Sequence, residues 1–234
     1  TYFMNVSMNG MYSVANKFSS VVTTIYSVFN ITWTESVSVN FKSDDKDEYF
    51  SKIFDVTVRF FGALCLGIIA FMPFAFSLLV NESFNEAYMQ IPILIIGAMF
   101  NILVSFLGTI YVAKKLSKEI AKISLVTAVI NIVIDLALIN FIGLYAASLS
   151  TVISWLVMFI YRFIDSRKYV KLKVDKKIVI SMIIGTIITL VSYYLNNNIL
   201  SIVVALLITI YAVCINLKNV NFLYKAVKDK FAKR

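Results

Sequence analysis

Seven apolar segments follow one another along the chain, and each is long enough to cross a bilayer as a helix. Crossing roughly 30 Å of hydrocarbon takes about 20 mostly apolar residues. The predicted spans cover residues 10–34, 51–80, 91–113, 120–142, 144–164, 177–195 and 198–217. Strands fit poorly, because the apolar runs are long and show no sustained alternation of apolar and polar residues. The pattern therefore predicts an all-α, polytopic membrane helix bundle, with residues 10–34 as its least apolar span.

Composition agrees with a membrane protein. The 234 residues are 60% hydrophobic and only 15% charged, whereas a soluble domain is about a quarter charged. The sequence holds no histidine and no glycine-rich phosphate loop, and both cysteines lie inside apolar runs. The acidic segment Asp44–Glu48 is short and mixed with lysine, which is typical of a solvated loop. We therefore expect no enzyme activity, no metal site and no cofactor.

Basic residues occur in alternate connections between the spans, and this predicts orientation. Cytoplasmic loops of membrane proteins collect Lys and Arg close to the span ends. The basic groups are Lys42, Lys46 and Lys52; Lys114, Lys115, Lys118 and Lys122; Arg162, Arg167, Lys168, Lys171, Lys173, Lys176 and Lys177; and Lys218, Lys225, Lys228, Lys230, Lys233 and Arg234. The other connections hold no Lys or Arg. We expect a cytoplasmic C-terminus, a basic cytoplasmic tail at 218–234 and attraction to anionic lipids, with no nucleic acid as partner.

The first span carries a polar face along its whole length. At 100° per residue, one side of the helix collects Ser13, Asn16, Lys17, Ser20, Thr23, Thr24, Ser27 and Asn30. A lysine roughly 10 Å below the span end can extend its ammonium group to the headgroups, or it can face water inside the protein. Because the whole face is polar, we favour a hydrated cavity over lipid.

Two further spans carry narrower polar stripes. Span three has Asn101, Ser105 and Thr109, and span four has Ser124, Thr127, Asn131 and Asp135. Close helix packing explains such stripes of small polar residues. We favour packing for span three and a cavity for span four, because its stripe includes a carboxylate.

Three other charged residues fall within the predicted spans. Asp55 and Arg59 are four residues apart, which predicts an ion pair within one helix. Arg59 lies about one turn deeper and is a second candidate to face the cavity. Glu35 follows Trp33 near the end of span one, and both a membrane-interface position and a cavity-mouth position remain open.

Three stretches of the chain resemble a known family. They are NGMYSVANKFSSVVTTIYSVFNITWTES, FSLLVNESFNEAYMQIPILIIGAMF and LGTIYVAKKLSKEIAKISLVTAVINIVIDLALINFIGLYAASLSTVISW. Together they resemble the C-terminal half of polysaccharide flippases of the multidrug/oligosaccharidyl-lipid/polysaccharide exporter superfamily. The resemblance covers residues 9–170, and its motifs are diagnostic in combination.

The resemblance implies a fold and an activity. It implies a MATE-like C-terminal lobe over residues 1–170, two accessory transmembrane helices over 171–217, and a first lobe that is absent from this chain. Such proteins flip undecaprenyl-pyrophosphate-linked oligosaccharides across the bacterial inner membrane for O-antigen, capsule or exopolysaccharide synthesis, by alternating access. Polysaccharide polymerases and glycosyltransferases are the expected protein partners.

The resemblance also suggests roles for residues. Lys17 matches a cavity-facing position and would contact the pyrophosphate, with Arg59 as second choice. Contacts with sugars, or a lining of the transport path, are expected from Asn16, Ser20, Thr23, Ser27, Asn131 and Asp135. Either Asp135 or Glu35 would couple transport to a proton or cation gradient.

Two other functions remain open. A cation-coupled multidrug antiporter of the same superfamily would share the fold and rely on carboxylates rather than on Lys17. A membrane-embedded enzyme of polysaccharide assembly usually needs large outer loops or histidine, and the outer connections here are short.

Overall fold

A computed structural model describes the backbone from residue 6 to residue 232 and the side chains from 8 to 217, and helices joined by short connections make up this part of the chain. The helices are α1 (Val6–Asn40), α2 (Lys46–Leu79), α3 (Asn85–Tyr88), α4 (Ile91–Ala113), α5 (Ser117–Ile142), α6 (Leu144–Ser166), α7 (Lys176–Leu195) and α8 (Asn198–Ala232). A 3₁₀ turn, Glu82–Phe84, precedes α3. No strand occurs in the described part of the chain, so the all-α prediction is confirmed.

Six of these helices are long and apolar enough to cross a membrane: α2, α4, α5, α6, α7 and the part of α8 up to Leu217. This supports the prediction of a multi-pass membrane protein. The first predicted span, 10–34, lies within α1, which extends further at both ends but is not among the six. A crossing by α1 stays a prediction.

Two compact units divide the chain. Unit 1 comprises Thr1–Ser51 with Phe74–Lys173, and unit 2 comprises Lys52–Pro73 with Val174–Arg234. Helix α2 therefore contributes its two ends to unit 1 and its middle to unit 2. The predicted division into a lobe at 1–170, accessory helices at 171–217 and a tail at 218–234 stays a prediction. In the structure α8 remains helical to Ala232, and residues 233–234 lie outside the described residues.

Helix α4 lies at the centre of unit 1, where it packs against both α1 and α6, and α5 packs on α6. Small residues permit this close approach. A Cβ added at Gly97 would lie 3.3 Å from the Val152 side chain of α6. Glycine at a helix contact lets two backbones approach closely, which is the usual way in which membrane helices gain packing contacts.

Stacked aromatic rings join α1 to α4. The rings of Trp33 and Phe106 are nearly parallel, with centroids 4.6 Å apart, and Phe50 of α2 meets Trp33 edge-on at 5.2 Å. Phe50 and Phe106 are fully buried. Since aromatic rings bury large areas and prefer such geometries, this stack fixes the C-terminal end of α1 within unit 1.

Unit 2 has its own apolar core, formed by Leu66 and Ala70 of α2 with Val204, Ala205 and Ile208 of α8. Helix α7 packs on α8. A Cβ at Gly185 of α7 would lie 3.2 Å from the Leu66 side chain, so this glycine also marks a close helix contact.

Candidate functional site

Helix α1 buries one apolar stripe against α4. Its buried residues are separated by three, four or seven positions: Ala15, Ser19, Val22, Tyr26, Trp33 and Val37. This spacing places them within one narrow sector of the helix. The stripe accounts for α1 packing onto unit 1, and it leaves most of the helix surface for other contacts.

The predicted polar face lies beside this stripe and is mostly exposed. We define the α1 polar sector as Ser13, Asn16, Lys17, Ser20, Thr23, Thr24, Ser27, Asn30 and Glu35. Most of its members are exposed, and Thr23 and Asn30 are half-buried. A third sector carries exposed apolar side chains such as Val21, Ile25 and Val28. The helix thus separates a surface suited to lipid from one suited to water or to a polar ligand.

Hydroxyl groups of the sector hydrogen-bond to the helix itself. Ser20 Oγ donates to the Lys17 carbonyl at 2.7 Å, and Ser27 Oγ donates to the Thr24 carbonyl at 2.7 Å. Thr23 Oγ1 donates to the Ser20 carbonyl at 3.0 Å. Such bonds satisfy each hydroxyl proton locally and leave the oxygen lone pairs free to accept. The sector therefore offers hydrogen-bond acceptors to a ligand, and displacing water from it leaves no hydroxyl proton without a partner.

Asn16 and Lys17 differ from these hydroxyl groups, because each keeps a hydrogen-bond donor that is not used within the helix. The Asn16 side-chain carbonyl accepts from Ser19 Oγ at 2.8 Å, which leaves its amide group available as a donor. Ion pairs among the described side chains are Arg59–Asp55, Arg59–Asp175 and Lys168–Asp165. Lys17 belongs to none of them, so it presents an exposed, unpaired cation at the edge of a surface rich in acceptors, next to the exposed apolar side chains of Val21 and Val28.

Glu35 lies on the same side of α1 as Lys17, because the interval between them is a whole number of helical turns. It is about five turns further along, roughly 27 Å away. Its side chain is exposed. Both predicted positions for Glu35, the membrane interface and the cavity mouth, remain compatible with this placement.

Asn131 and Asp135 lie on the side of α5 that packs on α6. Asn131 Nδ2 donates to Ser150 Oγ of α6 at 3.5 Å. One turn later, Asp135 Oδ1 is buried without a hydrogen-bond partner. Among the described side chains, neither residue forms a hydrogen bond or an ion pair with Lys17. The predicted cavity role of the span-four stripe stays a prediction.

The stripe of span three is packed, as the sequence favours. Thr109 is buried and donates to the Phe106 carbonyl at 2.7 Å, and Ser105 Oγ donates to Asn101 Oδ1 at 3.3 Å. Both bonds lie within α4, which is the most enclosed helix of unit 1.

Arg59 is engaged at all three of its guanidinium nitrogens. Its Nε pairs with Asp55 at 2.6 Å, its Nη2 with Asp175 at 3.3 Å, and its Nη1 donates to the Ile215 carbonyl at 3.4 Å. The predicted Asp55–Arg59 ion pair is therefore confirmed. Arg59 connects α2, the N-terminus of α7 and α8 within unit 2. These three partners stabilise the Arg59 charge within an apolar segment, and no ligand is needed for that. The predicted contact between Arg59 and the substrate therefore gains no support, because every guanidinium nitrogen already has a partner in the protein.

The pattern of charges along the sequence predicts the wrong location for Arg162. The sequence groups it with the basic connection after span five, yet it is only 4% exposed. Its Nη1 donates to the Val104 carbonyl of α4 at 2.9 Å, and its Nε is buried without a partner. The interpretation of Arg162 as a loop residue is wrong, because the side chain turns inward along α6 and finds space above Gly108.

A second polar contact lies one turn further along α6. Tyr111 donates to Asp165 at 2.8 Å, and Lys168 pairs with the same carboxylate at 2.5 Å. The neighbouring carboxylate raises the pKa of Lys168. The sequence gives little indication of this contact between Tyr111, Asp165 and Lys168. Only the apolar residues directly after Arg162 indicate that α6 continues far enough to include Asp165.

Comparison with known protein families, with curated proteins and with solved structures finds no match to this chain.

Proposed function

We propose that this chain is part of a transporter that flips undecaprenyl-pyrophosphate-linked oligosaccharides across the bacterial inner membrane. The observation that carries the proposal is Lys17: an exposed side chain, unpaired among the described side chains, at the edge of the α1 polar sector. A cation in a membrane segment is stabilised by a partner, by water in a cavity or by reaching the headgroups, and an anionic ligand in a hydrated cavity supplies the first of these.

The chemistry of the sector fits such a ligand. A lipid-linked sugar pyrophosphate combines negative charge with many hydroxyl donors, and its isoprenoid tail prefers lipid. Lys17 would pair with the pyrophosphate, while the free lone pairs of Ser20, Thr23 and Ser27 would accept from sugar hydroxyls. The apolar sector beside Val21 and Val28 would leave the tail in contact with lipid.

Alternating access around this surface would complete the cycle, with α1 facing each side of the membrane in turn. Asp135 and Glu35 are the candidates for coupling to a proton or cation gradient. The C-terminus would be cytoplasmic, on the side of the lysine-rich connections.

The test is complementation by the full-length protein in cells whose surface polysaccharide depends on it. Lys17→Ala should abolish surface polysaccharide with normal membrane insertion, and Lys17→Arg should retain part of it, because charge is kept. The matched control is Lys118→Ala, which removes one exposed lysine from the start of α5. Equal polysaccharide from Lys17→Ala and wild type would overturn the proposal.

One observation favours a second candidate, a cation-coupled multidrug antiporter. Asp135 places a buried, unpartnered carboxylate oxygen at membrane depth, where a proton or metal cation would be bound. Dye efflux from membrane vesicles distinguishes the two functions: an antiporter loses efflux in Asp135→Asn and keeps it in Lys17→Ala, whereas a flippase transports no dye.

A further inference from the structure

Two lysines from different connections of unit 1 meet at one aromatic ring. The Lys46 ammonium lies 5.4 Å from the centroid of the Phe41 ring, and the Lys114 ammonium lies 5.3 Å from it. Lys114 also lies 5.7 Å from the Tyr169 ring, just beyond α6. The end of α1, the start of α2, the end of α4 and the residues after α6 therefore converge on a single point.

Packing and backbone geometry hold this arrangement in place. The Phe41 ring contacts fully buried Phe50 edge-on at 6.0 Å, which ties it to the aromatic stack of the core. Lys114 ends α4, with its N–H donating to the Ile110 carbonyl at 3.1 Å. Lys115 then takes a left-handed conformation with φ 59°, which turns the chain towards α5. The Phe41 ring and the backbone of both lysines are thus held by fixed elements rather than by a free loop.

Neither ammonium group has an ion-pair partner among the described residues. The carboxylates of these connections are engaged elsewhere or exposed. Asp47 accepts a hydrogen bond from the Lys171 N–H at 3.0 Å. Asp165 accepts hydrogen bonds from Lys168 and Tyr111. The remaining carboxylates, Asp44, Asp45 and Glu48, are exposed. A ring face attracts each cation, but it does not cancel the repulsion between two of them. An anion close to both would.

The position of this pair matches the headgroup level of a bilayer. Lys46 begins α2 and Lys114 directly follows α4, and both helices are long and apolar enough to cross a membrane. Anionic headgroups concentrate at that level and attract lysines close to helix ends. Lysine binds phosphate as a point charge and needs no planar, two-point geometry.

We propose that Lys46 and Lys114, held over Phe41, form a binding site for the phosphate of an anionic phospholipid headgroup. The site is separate from the α1 polar sector and does not depend on the proposed transport function. Its failure and that of the flippase proposal are therefore distinguishable.

The test compares two double variants of the full chain in nanodiscs of phosphatidylcholine with phosphatidylglycerol, released and analysed by native mass spectrometry. Lys46→Gln with Lys114→Gln should retain less phosphatidylglycerol than wild type, by on the order of tenfold for two lysines near the surface. Lys118→Gln with Lys122→Gln removes the same charge from exposed positions of α5 and should retain it. If both double variants lose phosphatidylglycerol equally, the proposal is wrong, because retention of the lipid then depends on the total charge of the protein and not on this site.

A second measurement needs no variant. A photoactivatable phosphatidylglycerol, incorporated with wild-type protein, should label peptides that contain residues 40–46 and 113–116, and a phosphatidylcholine analogue should not. Absence of this selective labelling would contradict the proposal. Displacement of the lipid by millimolar inorganic pyrophosphate would also contradict it, because the site would then serve a free phosphate.

Discussion

Arg162 of α6 occupies the space that a side chain at Gly108 of α4 would need. Its Nη1 lies 2.8 Å from the position of a Cβ at Gly108, and the same nitrogen donates to the Val104 carbonyl at 2.9 Å. A helix glycine therefore makes room for a buried arginine, and the two helices are joined through a backbone carbonyl.

Gly108→Ala should destabilise the protein by roughly 1–3 kcal/mol, because the added methyl group displaces a buried guanidinium group from its hydrogen bond. Thermal unfolding in detergent measures the change. Gly67→Ala is the matched control, since a Cβ there meets nothing within 4 Å. It should leave stability unchanged or raise it by up to about 1 kcal/mol, through better helix propensity. A Gly108→Ala protein as stable as wild type would show that the arginine can move aside freely.

The cost of Gly108→Ala should depend on Arg162. In an Arg162→Met background the guanidinium group is gone, so the added methyl group should cost well under 1 kcal/mol. Arg162→Met alone should be close to neutral, because it removes a buried Nε that lacks a partner as well as one hydrogen bond. A double-mutant cycle measured by thermal unfolding checks this. Additive effects of the two substitutions would contradict direct contact.

Trp33→Phe should be tolerated within about 1.5 kcal/mol, because the buried Nε1 has no hydrogen-bond partner to lose and a phenyl ring can still stack on Phe106. Trp33→Ala should cost about 3–5 kcal/mol by opening a cavity beside Phe50. Unfolding midpoints of the two variants give the comparison. Equal losses for Phe and Ala would indicate that the indole nitrogen matters after all.

Asp175 combines two roles in unit 2. It pairs with Arg59, and its Oδ1 accepts the Lys177 N–H at 2.9 Å as the N-cap of α7. Asp175→Ala should destabilise by about 1 kcal/mol through loss of the cap, with a smaller contribution from the half-exposed ion pair. Asp175→Asn keeps a capping oxygen and should recover most of this. Asp44→Ala, an exposed change, is the control and should have no effect in the same unfolding assay.

The α1 polar sector should be accessible to water when the protein is in the membrane. In a background with Cys65→Ala and Cys214→Ser, single cysteines at Ser20 or Ser27 should react with a membrane-impermeant maleimide, because thiolates form only where water reaches. Cysteines at Val21 or Val28 are also exposed in the structure, yet they should stay unlabelled if that sector faces lipid. Labelling in intact cells reports the result. Equal labelling of both sectors would contradict the hydrated-cavity hypothesis.

Apolar run lengths and 3.6-residue periodicity alone predict the helices, since crossing a bilayer leaves a backbone few other ways to satisfy its hydrogen bonds. The same reasoning identifies the α1 polar sector and the Asp55–Arg59 pair, because contacts within one helix follow from spacing along the chain. Contacts between helices do not follow from spacing. The burial of Arg162 over Gly108, the extension of the Arg59 pair to Asp175, and the meeting of Lys46 and Lys114 at Phe41 each join residues distant in sequence. Only the packing of the helices decides these, because small residues such as glycine determine which helix faces approach and which polar groups they enclose.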